Sequence, residues 1–234
     1  MSNDLQHAYV LHTRHYRESS GLIDFITRDE GRITLLAKGY KAARKSSVRS
    51  SVQPFRKLSI NWRGRGELKV LAAVEESGFP FMLQETALLS GFYLNELMSR
   101  LIPIQDPHPE LFELYENTLL SLSVNKVLIE PLLRKFEIEL LEMLGYGLEF
   151  SRAADGADID EDAVYNYIAE QGPVRVLRKL GNGVYVKGTT LVSLANKEFN
   201  DPEVVRESKQ LMRYILSLYL GNKPLKTRAL FNYL

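Results

Sequence analysis

The apolar residues of this chain change their spacing at Phe79-Pro80. Before that point they recur at every second position, and beyond it at every third or fourth. A period of two puts side chains on one face of a strand, whereas a period near 3.6 puts them on one face of a helix. The chain is therefore expected to be an α+β, two-domain protein with its strands first. Ala8 to Arg14 and Leu22 to Thr27 are extended apolar runs. Asp29-Glu30-Gly31 then turns the chain into Arg32 to Ala37, as in a hairpin. Leu58 to Trp62 and Glu67 to Leu71 alternate around Arg63-Gly64-Arg65-Gly66, where glycine accepts a positive φ. Five short strands with one long polar loop (39–51) suit a small closed barrel over residues 1–79.

Residues 80–234 read as mainly α-helical. A first helix is expected over Gln84 to Leu101, and a second, carrying Leu111, Leu114, Leu119 and Leu122, after Pro107-His108-Pro109. A third starts near Pro131, carries Leu133, Phe136, Leu140 and Met143 on one face, and stops at Gly145. Val204, Ser208, Leu211, Ile215 and Leu218 mark a fourth, ending at Gly221. Residues 146–199 are weaker in pattern. They hold an acidic patch (Asp155, Asp158, Asp160, Glu161, Asp162), a short helix near Val164 to Ile168 and a strand at Val184 to Val186.

The net charge of +1 conceals a polarised chain. Gly31 to Gly66 carries ten basic residues and no acidic one, while residues 1–30 are net −2 and residues 67–234 net −7. A block of that kind attracts polyanions over a Debye length of about 8–10 Å, and a nucleic acid is the expected partner. The candidate phosphate contacts are Arg32, Lys38, Lys41, Arg44, Lys45, Arg49, Arg63 and Arg65. Aromatic residues that stack on bases add roughly 1–3 kcal/mol each to single-strand binding. The candidates are Tyr16, Tyr40, Phe55 and Trp62. Phe55, after Pro54, reads as core packing. Tyr40, between Lys38 and Lys41, reads as the most exposed, and Trp62 as either a stacking platform or a support for the sheet edge.

Other function classes lack their marks. There is no phosphate-cradling Gly-x-x-x-x-Gly-Lys-Ser/Thr loop, no dinucleotide fingerprint and no Gly-x-Ser-x-Gly elbow. Gly145-Tyr146-Gly147 follows a helix and reads as a helix stop. Cysteine is absent, which removes disulfides, thiolate nucleophiles and cysteine-ligated zinc. His12 and His15 point to opposite faces of a strand, and the acidic patch lacks the spacing of a calcium loop. No apolar run approaches the roughly 20 residues of a membrane span, and no secretory signal opens the chain. No cofactor is expected, and the reading is a cytoplasmic, nucleoid-associated binding protein rather than an enzyme. Two alternatives are a generic single-strand DNA or RNA binder, and a metal-dependent phosphoryl-transfer enzyme using Asp155 to Asp162.

Several segments together resemble the bacterial recombination mediator family RecO. In the first domain they are Ala8-Tyr9-Val10-Leu11-His12, Asp29-Glu30-Gly31-Arg32, Ala37-Lys38-Gly39, Gln53-Pro54-Phe55 and Gly64-Arg65-Gly66-Glu67-Leu68-Lys69. In the second they are Ser90 to Leu97, Leu133-Arg134-Lys135-Phe136-Glu137, Leu144-Gly145-Tyr146-Gly147 and Gly221 to Arg228. The resemblance implies an N-terminal five-stranded OB-fold barrel and a C-terminal helical domain. It implies binding of single- and double-stranded DNA, strand annealing without nucleotide hydrolysis, and partnership with the acidic tail of the single-stranded-DNA-binding protein, with RecR and indirectly with RecA. It implies that Arg134, with Lys135 beside it, meets the tail's terminal carboxylate. Lys223, Lys226 and Arg228 form a second basic cluster, which either extends the DNA path or favours a helix end. Many members carry a four-cysteine zinc site in the second domain. This chain has no cysteine, so its 146–199 region is zinc-finger-like without the metal ligands.

Overall fold

The computed structural model describes residues 5–40, 48–64, 66, 68–124, 128–178, 183–221 and 223–230. The chain forms two compact units, Met1–Asn125 with Leu225–Leu234, and Lys126–Pro224. The unit that holds the barrel thus extends past residue 79 and takes back the end of the chain.

In the first unit, β1 (Gln6–Tyr16), β2 (Ser20–Thr27), β3 (Gly31–Ala37), β4 (Leu58–Arg63) and β5 (Lys69–Glu76) close into a barrel of order β1-β2-β3-β5-β4. This is the expected OB-type barrel. A single turn of helix, α1 (Val48–Ser51), lies between β3 and β4. Inward residues at alternate positions, among them Ile23, Phe25, Ile33, Leu35, Leu58 and Ile60, make the core. In β1 the alternation fails: Ala8, Tyr9, Val10 and Leu11 are all buried. The outer face of β1 is covered too, because α2 (Glu85–Leu101) and α3 (Pro109–Leu122) belong to the same unit and α2 packs on β1. A run buried on both faces has no polar positions to alternate.

Polar groups fasten these helices to the barrel. The Asn95 amide donates to the Val10 carbonyl at 3.3 Å and accepts from the buried Tyr115 hydroxyl at 2.5 Å. Tyr9 donates to Glu116 at 2.7 Å, and Lys57 pairs with the same carboxylate at 2.6 Å. Burial, and then the Glu116 carboxylate, push the Tyr9 phenol far above its ordinary value, which keeps it a donor. The segment after α2 adds a parallel bridge to β3 at Arg32 and Ile104, with Gln105 N donating to the Arg32 carbonyl at 2.9 Å. Gly31 permits this approach. Its φ is +69°, and a Cβ there would lie 2.1 Å from the Asp106 carbonyl oxygen.

In the second unit, α4 (Ile129–Met143) is followed by a three-stranded sheet of order β7-β6-β8, built from β6 (Val164–Ile168), β7 (Gly172–Val176) and β8 (Val184–Lys187). Helices α5 (Gly188–Asn196) and α6 (Pro202–Leu220) complete it. The short helix expected near 164–168 is therefore a strand. Val164-Tyr165-Asn166-Tyr167-Ile168 alternates between buried and half-buried positions, and its β-branched and aromatic residues fit a pleated surface. The strand expected at 184–186 is present as β8. The Asp201 carboxylate caps α6 by accepting from Glu203 N at 2.7 Å and Val204 N at 3.3 Å. Met143, expected on the apolar face of α4, is 39% exposed.

The last described helix, α7 (Lys226–Leu230), belongs to the first unit and packs against α2. The Glu96 carboxylate accepts from Lys226 N at 2.8 Å, Thr227 N at 2.9 Å and the Thr227 hydroxyl at 2.7 Å. Burial raises its pKa, but these donors and Arg100 outweigh burial and hold it below the ordinary value. A lowered carboxylate stabilises the fold above its unfolded pKa, roughly 4.3, and loses that contribution as pH falls through the folded value. Glu96→Ala is accordingly expected to cost about 1–2 kcal/mol at pH 7, the usual range for a lost cap, and less at pH 3. Hydrogen exchange at the α7 amides checks it, since a loss spread evenly over the unit would contradict a local cap.

Candidate nucleic-acid interface

Two cations of the basic block, Lys38 and Arg63, lie at one opening of the barrel. β3 and β5 pair in parallel over two positions only, Leu35 with Lys69 and Leu36 with Val70. Where β3 ends, the barrel wall opens into a cleft of about 510 Å³ lined by Lys38, Val48, Arg63, Val70 and Leu71. Lys38 and Arg63, 25 positions apart in sequence, thus face one opening, and both are exposed. A bulge between Asn61 and Trp62 shifts the register of β4 just before Arg63. Trp62 is half-buried against the barrel core, with the Lys69 ammonium 5.8 Å from its ring centroid. Its ring thus packs on the barrel core while part of it stays open to solvent. Sequence reading passed over Lys69, although the alternation of β5 would have placed it at the start of that strand.

Tyr40 is corrected. Expected to be exposed, it is 7% exposed and belongs to the barrel core. Its ring lies on Gly21, where any Cβ would come within 2.7 Å of the ring carbon Cγ. The exposed Arg49 on α1 places its guanidinium 6.0 Å from the centre of that ring, and His15 meets it edge-on at 6.3 Å. Tyr40 is therefore a residue of the barrel core rather than a base-stacking surface. Phe55 is buried as expected, against Gly91 and Phe92. Tyr16 is half-buried, with Arg17 stacked 5.2 Å from its ring.

Arg32 is committed elsewhere. Its Nε donates to the Ile102 carbonyl at 2.8 Å, and burial, opposed by Asp24, lowers its pKa. Lys41, Arg44, Lys45 and Arg65 lie outside the described residues. On α7, Lys226 is exposed and borders an apolar cleft of about 450 Å³ with His12, Phe92, Arg100 and Leu230, while Arg228 is half-buried. Lys223 is exposed and falls in the other compact unit.

Arg134 is on the buried side of α4, 5% exposed at its side chain, and forms an ion pair with the fully buried Glu137. Its Nε and Nη1 have no hydrogen-bond partner among the described residues. Lys135 is exposed, 4.0 Å from Glu139. The acidic patch is occupied locally: Asp155 and Asp160 accept from the backbone at Ala157 and Asp162, and Asp160 pairs with Arg175 at 2.8 Å. Among the described residues no three His, Cys, Asp or Glu side chains converge as metal ligands, and no helix is long and apolar enough to cross a membrane.

Family models described as Recombination protein O N terminal and Recombination protein O C terminal match residues 1–78 and 84–229. The chain belongs to the RecO family. The "DNA repair protein RecO" of Mannheimia succiniciproducens is 42% identical over 223 residues, 95% of this chain and 96% of the relative. Proteins of the same name from Haemophilus influenzae strain PittGG (42% over 232 residues, 99% and 97%) and Alkalilimnicola ehrlichii (43% over 239 residues, 100% and 94%) are similar along nearly their whole length. The RecO family thus embraces both compact units, the barrel cleft with Lys38 and Arg63 as well as helix α4 with Arg134.

Proposed function

We propose that this RecO-family protein acts in DNA repair and recombination as a mediator. It binds single- and double-stranded DNA and anneals complementary strands. With RecR, it helps RecA replace the single-stranded-DNA-binding protein. The observation that carries the reading is the placement of Lys38 and Arg63 at the open end of an OB-type barrel in a chain matched end to end by proteins named for DNA repair. Strand phosphates run along the cationic opening, with Arg49 and Lys69 beside it. Lys226 and Arg228 extend that path in the same unit. The partner's acidic tail is met on α4, where Lys135 offers an exposed ammonium and Arg134 two unused donors. Binding energy alone drives this work, without metal or nucleotide.

Annealing of complementary strands coated with single-stranded-DNA-binding protein, in EDTA and without nucleotide, tests it. The expected result is faster annealing that disappears when the coat protein lacks its acidic tail. Tight strand binding without annealing would leave a generic barrel-type binder. Loss of activity in EDTA would return attention to Asp155–Asp162.

A further inference from the structure

The second unit contains an aromatic cleft lined by none of the residues proposed to contact DNA. After α4 the chain turns through Gly145, at φ +79°, and sets Tyr146 against Tyr219 near the end of α6, with ring centroids 4.0 Å apart and planes at 34°. Tyr167 of β6 lines the same cleft, buried, with its hydroxyl hydrogen-bonded to the Glu149 backbone. Burial, with Tyr219 adding, pushes this phenol up to about 12, so it is neutral at physiological pH. The cleft measures about 330 Å³, at the small end of ligand pockets.

Its charge is one-sided. Glu149 and Glu170 line it, and among the described residues no lysine, arginine or histidine does. Residues 149–170 carry seven acidic side chains and one basic, Arg152. Glu149 is fixed in place, since its Oε1 accepts from Ser151 N at 2.7 Å and Arg152 N at 3.0 Å. Glu170 sits at φ +64° on the turn between β6 and β7, exposed, and forms no ion pair among the described residues. Phosphates would be repelled here. A ring face attracts a cation through its quadrupole, and a guanidinium can stack on the ring while its edge forks onto a carboxylate. A lysine ammonium satisfies the carboxylate but has no planar face for the ring.

We propose that the Tyr146–Tyr219 cleft is a docking site for an arginine-bearing peptide segment of a partner protein, with the guanidinium against the tyrosine rings and its edge on Glu170. The site is independent of the barrel and of the reading as a DNA-repair mediator.

The test uses the full chain and a fluorescein-labelled peptide, Gly-Ala-Arg-Ala-Arg-Gly, with lysine and citrulline versions as comparisons. Fluorescence anisotropy at physiological salt is expected to rank arginine above lysine, with citrulline not binding. Tyr219→Leu and Glu170→Gln, both at exposed positions, should each weaken the arginine peptide by about tenfold. The double variant Asp158→Asn/Asp162→Asn, outside the cleft, should change it by about twofold or less. Single-strand DNA binding should be unchanged in all three, and their melting temperatures confirm folding. No binding by the unaltered protein, equal binding of the citrulline peptide, an unaffected Tyr219→Leu variant, or an equal loss in the Asp158/Asp162 variant would each overturn the proposal.

Discussion

Glu137→Ala is expected to destabilise the second compact unit by about 3–5 kcal/mol, because it leaves the Arg134 guanidinium, 5% exposed at its side chain, without its ion-pair partner. Arg134 and Glu137 are 5% and 0% exposed at their side chains and lie one turn apart on the buried side of α4. Removing both charges is expected to behave differently. Arg134→Met with Glu137→Leu exchanges an ion pair for apolar side chains, a change that is often neutral or stabilising in buried settings. Urea unfolding of the three proteins measures this, and a single variant that unfolds like the parent would show that the pair is hydrated. The double variant also isolates the proposed partner contact. It keeps the helix and removes the guanidinium fork, so its affinity for an acidic peptide with a free terminal carboxylate should drop by about tenfold or more. A folded double variant with undiminished affinity would take Arg134 out of the tail site and leave Lys135 as the cation there.

The second large effect is on DNA. Lys38→Gln with Arg63→Gln removes the two described cations at the mouth of the barrel cleft while leaving its apolar lining in place. Each phosphate contact on a single strand contributes about 0.7 to the slope of log affinity against log salt, so the double variant should lose about 1.4. Between 50 and 200 mM salt its affinity should then fall about sevenfold less than that of the parent protein. Titrations of an oligothymidine at several salt concentrations provide the slope. An unchanged slope would mean that the strand passes elsewhere, with Lys226 and Arg228 the next residues to neutralise.

Much of the architecture was legible in the order of residues. Period-two alternation in Leu58 to Trp62 and the glycine turn after it belong to a single stretch of chain, so local chemistry marked β4 and the start of β5. The same holds for the Pro109 start of α3 and for the amphipathic run of α6. β6 was misread because five residues give too few repeats to separate the two periods when acidic residues precede them, and because its partners β7 and β8 are not local. The OB-type barrel order likewise depends on β5 reaching across to β3, a pairing of distant segments.

Among site residues the division is similar. Sequence by itself determined that the chain holds an acid-free basic block, has no cysteine to ligate a metal, and carries a family's motifs along its length. Charge and composition do not depend on folding. Which cations are available for a ligand depends on packing. Arg32 and Lys38 lie in one basic run, yet Arg32 is tied to the Ile102 carbonyl while Lys38 is open to solvent at the cleft. Tyr40 looked exposed amid lysines, but Gly21 on a neighbouring strand leaves a seat for its ring. Arg134 and Lys135 are adjacent, and a helix turns successive residues by about 100°, so one enters the interior as the next meets solvent. The tertiary structure alone decided those fates, because burial is set by what other segments bring to a side chain.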